Sequence, residues 1–332
     1  MNLLCNGQIE QIRELTRKAP FMLEIETTNI CNSACVFCSY PYSKRKKGVM
    51  SMQVFQKVVE DYVRMGGGAV NLTPIDGDPL LDRHLIERIE LLKKHKETQQ
   101  IITTTNLIAL NKYSDQEIRC LLEDLYLIKV SIGGLDKETY KSMFNVDCFS
   151  QVMNGIDRLI KIRDEVSKPA HINFAFRTND PGFEERFKPQ LDEYRKKSID
   201  ISHTHVFMNN CGSLDADTEN KIAVARTCGK KRLTCAFPCM SMVVCWDGVV
   251  SACDEDAEVK DLRVGHVENE SLAEIWTGEK RREILDSFGK RKLTTACSQC
   301  SAYHPDTLFA DPIFKGLKPN QILPRDFNLF TY

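Results

Sequence analysis

The chain has 332 residues, 42% hydrophobic and 27% charged, an ordinary globular composition with length for one large or two modest domains. Net charge is −1, so no overall field recruits nucleic acid or an anionic membrane, and no apolar run approaches a membrane span. Fourteen cysteines, with no basic n-region and apolar h-region at the N-terminus, point to a reducing, cytoplasmic setting, where clustered thiols bind metal or do chemistry.

The first two-thirds alternates strands with amphipathic helices. Residues 21–28 are an apolar-rich strand. Residues 51–65 are a helix with Val54, Phe55, Val58, Val59 and Tyr62 on one face and Ser51 as N-cap. Strands at 69–74, 100–106, 127–132, 171–177 and 201–206 follow, separated by helices near 83–96, 114–122, 137–144, 149–165 and 187–197. Repeated βα units imply a parallel sheet with right-handed crossovers. Six units are too few for a closed eight-stranded barrel, so an open, partial (βα)6 TIM-like barrel of the α/β class fits. The expected division is a barrel over 1–208, a polar linker over 209–227, a cysteine-rich second region over 228–303 and a tail over 304–332 that packs on the core through Phe309, Phe314, Phe327, Phe330 and Tyr332. In the second region Asp247-Gly248 marks a hairpin within 243–250, and 271–276 and 280–287 are helical.

Directly after the first strand stand Cys31, Cys35 and Cys38. Three thiolates from one loop are one short of the four that a cubic 4Fe–4S cluster takes, which leaves one iron open to a small molecule. On spacing alone, three reduced cysteines or part of a zinc site remain open. This Cys-x3-Cys-x-Phe-Cys loop resembles the signature of the radical S-adenosylmethionine (SAM) enzymes, whose core is also a partial barrel. The resemblance implies that the open iron binds the amino and carboxylate groups of SAM, that SAM is cleaved to a 5′-deoxyadenosyl radical, and that the radical takes a substrate hydrogen.

Further strand ends extend the resemblance. Ile75-Asp76-Gly77-Asp78-Pro79 is similar to the family's Gly-Gly-Glu-Pro loop, which implies SAM contacts at Gly77 and Asp78. Thr104-Thr105-Asn106 is similar to its Thr-Asn-Gly, with Leu107 where Gly is usual. Ser131 precedes Gly133, which replaces a common acidic residue. Phe37, Thr105, Asn106, Ser131 and Arg177 complete the implied SAM site, a solvated surface role being the alternative for Arg177. The basic run Lys44-Arg45-Lys46-Lys47 is either a solvated face or the docking patch of an acidic flavodoxin or ferredoxin reductant.

Downstream, Cys235, Cys253, Cys297 and Cys300 supply a full set of four thiolates for a closed cluster or a tetrahedral zinc. Their context (Cys235-x12-Gly248-x4-Cys253, then Ser271-Leu-Ala-Glu-Ile-Trp276 and a final Cys-x2-Cys) resembles the SPASM/twitch extension in its truncated form, with one auxiliary 4Fe–4S cluster. Cys239 and Cys245 are candidate hydrogen-atom donors to a substrate radical, or small buried residues like Cys5, Cys120, Cys148, Cys211 and Cys228. No cobalamin domain, leader-peptide recognition domain or second auxiliary cluster is expected. The leading expectation is oxidation or epimerisation of a sugar, cyclitol or other small metabolite. The alternatives are thioether crosslinking or epimerisation of a ribosomal peptide and, in another class, a non-catalytic zinc protein.

Overall fold

The structure is a computed structural model that describes residues 14, 16–73, 75–214, 221–225, 235, 237–288 and 293–302. Cys5, Cys228 and the aromatic tail lie outside these residues. Six parallel strands form the barrel wall in sequence order: β1 (Met22–Ile25), β2 (Gly68–Asn71), β3 (Thr98–Thr105), β4 (Leu127–Ile132), β5 (His171–Arg177) and β6 (Asp200–Thr204).

Period-two alternation builds the two faces of this wall. Leu23, Val70, Ile101, Ile128, Val130, Phe174 and Phe176 are buried in the core. Their strand neighbours Glu24, Asn71, Gln100, Lys129 and Asn173 face the barrel interior. Helix Met52–Arg64 buries Phe55, Val58, Val59 and Tyr62, and the Ser51 hydroxyl accepts from Val54 N at 3.1 Å as the expected N-cap. Helices Leu85–Lys93, Asp115–Asp124, Lys137–Phe144 and Phe149–Arg163 follow in the expected places. The helix expected over 187–197 is present as Lys188–Lys196, with Pro189 in its first turn, and a separate short helix, Phe183–Arg186, precedes it.

The cysteine-rich region continues the barrel's own sheet. Beyond β6, β7 (Val206–Phe207) pairs with β8 (Ala223–Val224), which lies within the expected linker. Strand β9 (Ser241–Val244) then runs parallel to β1, pairing Met22 with Ser241 through Ile25 with Val244. The expected hairpin joins β9 to β10 (Val249–Ser251), with Gly248 at φ +87° in its turn, and β11 (Arg263–His266) ends the nine-stranded sheet. Helices Leu272–Thr277 and Glu279–Ser287 follow, and Thr295–Gln299 carries Cys297. No helix among the described residues is long and apolar enough to cross a membrane.

Candidate active site

The loop that carries Cys31, Cys35 and Cys38 is held by its backbone. Ala34 N and Val36 N donate to the carbonyls of Phe144 and Met143, and the Tyr40 hydroxyl closes the loop by donating to Cys31 O at 3.2 Å. Each sulfur has a polar neighbour: Asn106 Nδ2 at 3.7 Å from Cys31, the Ser33 hydroxyl at 3.1 Å from Cys35, and Tyr40 N at 3.4 Å from Cys38. Donors of this kind stabilise sulfur that carries negative charge, as in an iron–sulfur cluster. Burial and the Asp78 carboxylate push the Cys31 thiol up to about 12. Burial and Asp76 push Cys38 up to about 11, and burial with the neighbouring thiols raises Cys35 further. Such thiols ionise when a metal centre takes the charge, so the set fits a cluster and not a free nucleophile.

The expected SAM loop packs on the same place. Gly77 has φ +112°, and a Cβ there would lie 2.8 Å from Thr28 O, so only glycine lets this turn approach the cysteine loop. Asp78 N donates to Ile30 O at 2.9 Å. The Asp78 carboxylate accepts from Leu80 N at 3.0 Å, the Thr105 hydroxyl at 2.9 Å and Asn106 N at 2.7 Å. Burial outweighs these donors and raises Asp78 to about 6, which leaves it mostly ionised near neutral pH as a tie between two strand ends. Asn106 reaches on to Asn32 at 2.9 Å. Leu107 adopts the left-handed conformation, φ +63°, where the family uses glycine. At Gly133 a Cβ would sit 2.7 Å from the Phe144 ring, so packing excludes the family's acidic residue.

Phe37 is stacked on Phe207 with centroids 4.8 Å apart, and the Arg177 guanidinium lies over the Phe37 ring, 5.5 Å from its centroid. Arg177 Nε donates to the Ser131 hydroxyl at 3.0 Å. Arg177 is half-buried inside the barrel, not solvated on the surface. Of the basic run, Arg45 forms a bidentate pair with buried Glu26 at 2.9 and 2.5 Å, and Lys46 O accepts from Trp246 Nε1 at 3.2 Å. That half of the run ties the cysteine loop to the β9–β10 hairpin. Lys44, Lys46 and Lys47 remain exposed.

The three loop cysteines, the expected SAM-site residues and Phe207 line one cavity of about 790 Å³. Its walls hold residues the sequence reading did not single out: Glu24, Asn71, Gln100, Lys129, Asn173, Ser202, Asp254 and Glu255. For Glu24 and Lys129 the signal was a charged residue inside an otherwise apolar strand, Met-Leu-Glu-Ile and Leu-Ile-Lys-Val-Ser-Ile. Lys129 is 5% exposed, and burial together with the Arg177 charge lowers it to about 7.

Cys235, Cys253, Cys297 and Cys300 are all buried and converge on a smaller cavity. Cys211, expected to be an inert buried residue, lines it too and is hydrogen-bonded to Cys300. Asn209 places it there, by accepting from Ser301 N at 2.9 Å and donating to Gln299 O at 2.7 Å. The two cavities share Phe237, Glu255 and Ala302. Among the described residues no three His, Cys, Asp or Glu side chains converge on a single ion-sized point. Four thiolates are the full ligand set of a cubane, one per iron. Cys239 and Cys245 are buried and line neither cavity.

Comparison with known proteins agrees with this geometry. The Radical SAM superfamily profile matches residues 25–168, and the SPASM iron–sulfur cluster-binding domain matches residues 235–301. The GTP 3′,8-cyclases of Petrotoga mobilis and Klebsiella pneumoniae are 28% and 30% identical over 143 and 151 residues, 42% and 44% of this chain. Those matches span only 43% and 44% of the cyclases' own length. The fold is similar to BtrN in complex with AdoMet and 2-DOIA (TM-score 0.56, 18% identity, 85% of this chain and 93% of that one). It is also similar to Streptococcus suis SuiB bound to its precursor peptide SuiA (TM-score 0.63, 13% identity, 96% and 79%). The chain belongs to the radical SAM superfamily and carries a C-terminal SPASM-type domain, and with them the family's use of SAM, a radical SAM 4Fe–4S cluster and an auxiliary iron–sulfur cluster.

Proposed function

We propose that this enzyme oxidises a small polyhydroxylated metabolite, such as a sugar or cyclitol, by radical dehydrogenation. The observation that carries the reading is the shared wall: Phe237, Glu255 and Ala302 border both the SAM and substrate cavity and the auxiliary thiol set. Dehydrogenation removes two electrons and two protons from a carbinol. One hydrogen atom leaves to the adenosyl radical, a proton goes to a base, and the remaining electron needs an acceptor next to the substrate. Cys31, Cys35 and Cys38 would hold a 4Fe–4S cluster, which would supply the electron for SAM cleavage, and Cys235, Cys253, Cys297 and Cys300 would hold a second, which would supply an electron acceptor.

The chain's own residues do the rest. Gly77 and Asp78 present the loop backbone, Asn106 and Ser131 offer polar contacts, and Arg177 offers a two-pronged partner for the SAM carboxylate. Phe37 and Phe207 form an apolar wall. Lys129 is the base: buried on the interior face and close to neutral pH in its titration, it accepts the hydroxyl proton. Epimerisation is less well supported, because it needs a thiol to return hydrogen, and the only cysteines lining the cavity among the described residues are the three of the loop. The cavity volume is in the small-molecule range and must also admit SAM, which favours a metabolite over a peptide. Electrons come from flavodoxin or ferredoxin, with Lys44, Lys46 and Lys47 as the contact surface.

The test is anaerobic reconstitution followed by turnover with carbon-deuterated polyols. Deuterium should appear in 5′-deoxyadenosine together with a product two hydrogens lighter. Deuterium transfer from a peptide and from no polyol, or a product of unchanged oxidation state, would refute the reading.

A further inference from the structure

The cavity is electrically lopsided. Lys129 on β4 and Arg177 on β5 bring positive charge to one side, with Asp200 at the start of the adjacent β6. Glu24 on β1 and the loop after β10, with Asp254 and Glu255, form an acidic side three strands away. Glu24 is 3% exposed, and its Oε1 is buried with no hydrogen-bond partner. Glu255 Oε2 is likewise buried and unpartnered, whereas Asp254 Oδ1 is engaged by the Cys253 thiol at 3.6 Å. Two orphaned carboxylate oxygens on the wall of a binding cavity are costly unless a ligand supplies donors.

We propose that Glu24 and Glu255 form a subsite for a cationic nitrogen on the substrate, so that the enzyme acts on an amino-bearing polyol. The inference rests on the proposed oxidation only for the word polyol. An ammonium has three donors to share between separated carboxylates. With the nitrogen on the acidic side, the rest of a small ring extends toward Lys129, which sets which hydroxyl meets the base.

Equilibrium binding tests this apart from turnover. Isothermal titration of the cluster-loaded, SAM-bound enzyme at pH 7.5 would compare glucosamine with glucose, scyllo-inosamine with scyllo-inositol, and glucosamine with N-acetylglucosamine. The charged amine should bind about tenfold tighter or more than its neutral partner in at least one pair, the scale of a charge-assisted hydrogen bond. Glu24→Gln and Glu255→Gln should each reduce that preference to about threefold or less, with iron content and visible absorbance unchanged. Wild-type enzyme that prefers no amine, or a preference that survives both substitutions, would overturn the proposal. Amine selectivity without oxidation of any amine would sink the reaction reading and leave the subsite standing. Oxidation of a neutral polyol with no amine preference would do the reverse.

Discussion

Replacing Lys129 with methionine separates stability from function at one position. Burial and Arg177 bring Lys129 from its ordinary 10.5 to about 7. A shift of about 3.5 units at 1.36 kcal/mol each is a cost of about 5 kcal/mol for keeping this amine in the barrel. Between pH 7 and 10.5 the unfolded chain binds more protons at this site than the folded one, so stability rises with pH across that window. Below pH 7 both states carry the proton and the full cost is present; above 10.5 it is gone. Methionine keeps the stem without the charge. Lys129→Met should therefore melt about 5–10 °C above wild type at pH 6, at about 2 °C per kcal/mol. The gain should shrink to about 2 kcal/mol by pH 9. The same variant should lose substrate oxidation by about 100-fold or more while still cleaving SAM without product. Thermal melts of the reconstituted proteins at pH 6, 7.5 and 9 read the first effect, and chromatography of 5′-deoxyadenosine and product reads the second. A variant that melts at or below wild type at pH 6, or a gain that does not change with pH, refutes the account of Lys129.

Removing the loop thiols together (Cys31, Cys35 and Cys38 each to Ala) should lower iron from about eight to about four per chain and abolish SAM cleavage, leaving the auxiliary absorbance. Gly77→Ala forces a Cβ to 2.8 Å from Thr28 O at a φ of +112°; it should cost about 1–3 kcal/mol in denaturant titration and weaken SAM binding. Arg45→Leu leaves the Glu26 carboxylate buried without its counter-charge and should destabilise by about 3 kcal/mol, an effect that shrinks as pH falls because protonated Glu26 needs no partner. Asp78→Asn leaves one of three donors unpaired between the second and third strand ends and should raise the SAM dissociation constant several-fold by calorimetry, with about 1–3 kcal/mol lost on unfolding.

Chemistry confined to a short loop, and strands that declare themselves by periodicity, were determined by the sequence alone. Cys31, Cys35 and Cys38 lie within eight residues, and β4 and β5 run over the expected 127–132 and 171–177, because thiol spacing and alternation are local properties. Asp78 was legible as a loop residue, but its pairing with Thr105 and Asn106 joins positions 27 and 28 apart and has no local signature. The same holds for Cys211 beside Cys300, for β9 docking in parallel on β1, and for Arg45 leaving the basic run to pair with Glu26. Only the folded sheet determines which polar residues share an interior. Glu24, Lys129, Asp254 and Glu255 are ordinary charges in the chain; closing six strands around one space turns them into two opposed walls of a single cavity, because side-chain direction is set by the strand and proximity by the sheet.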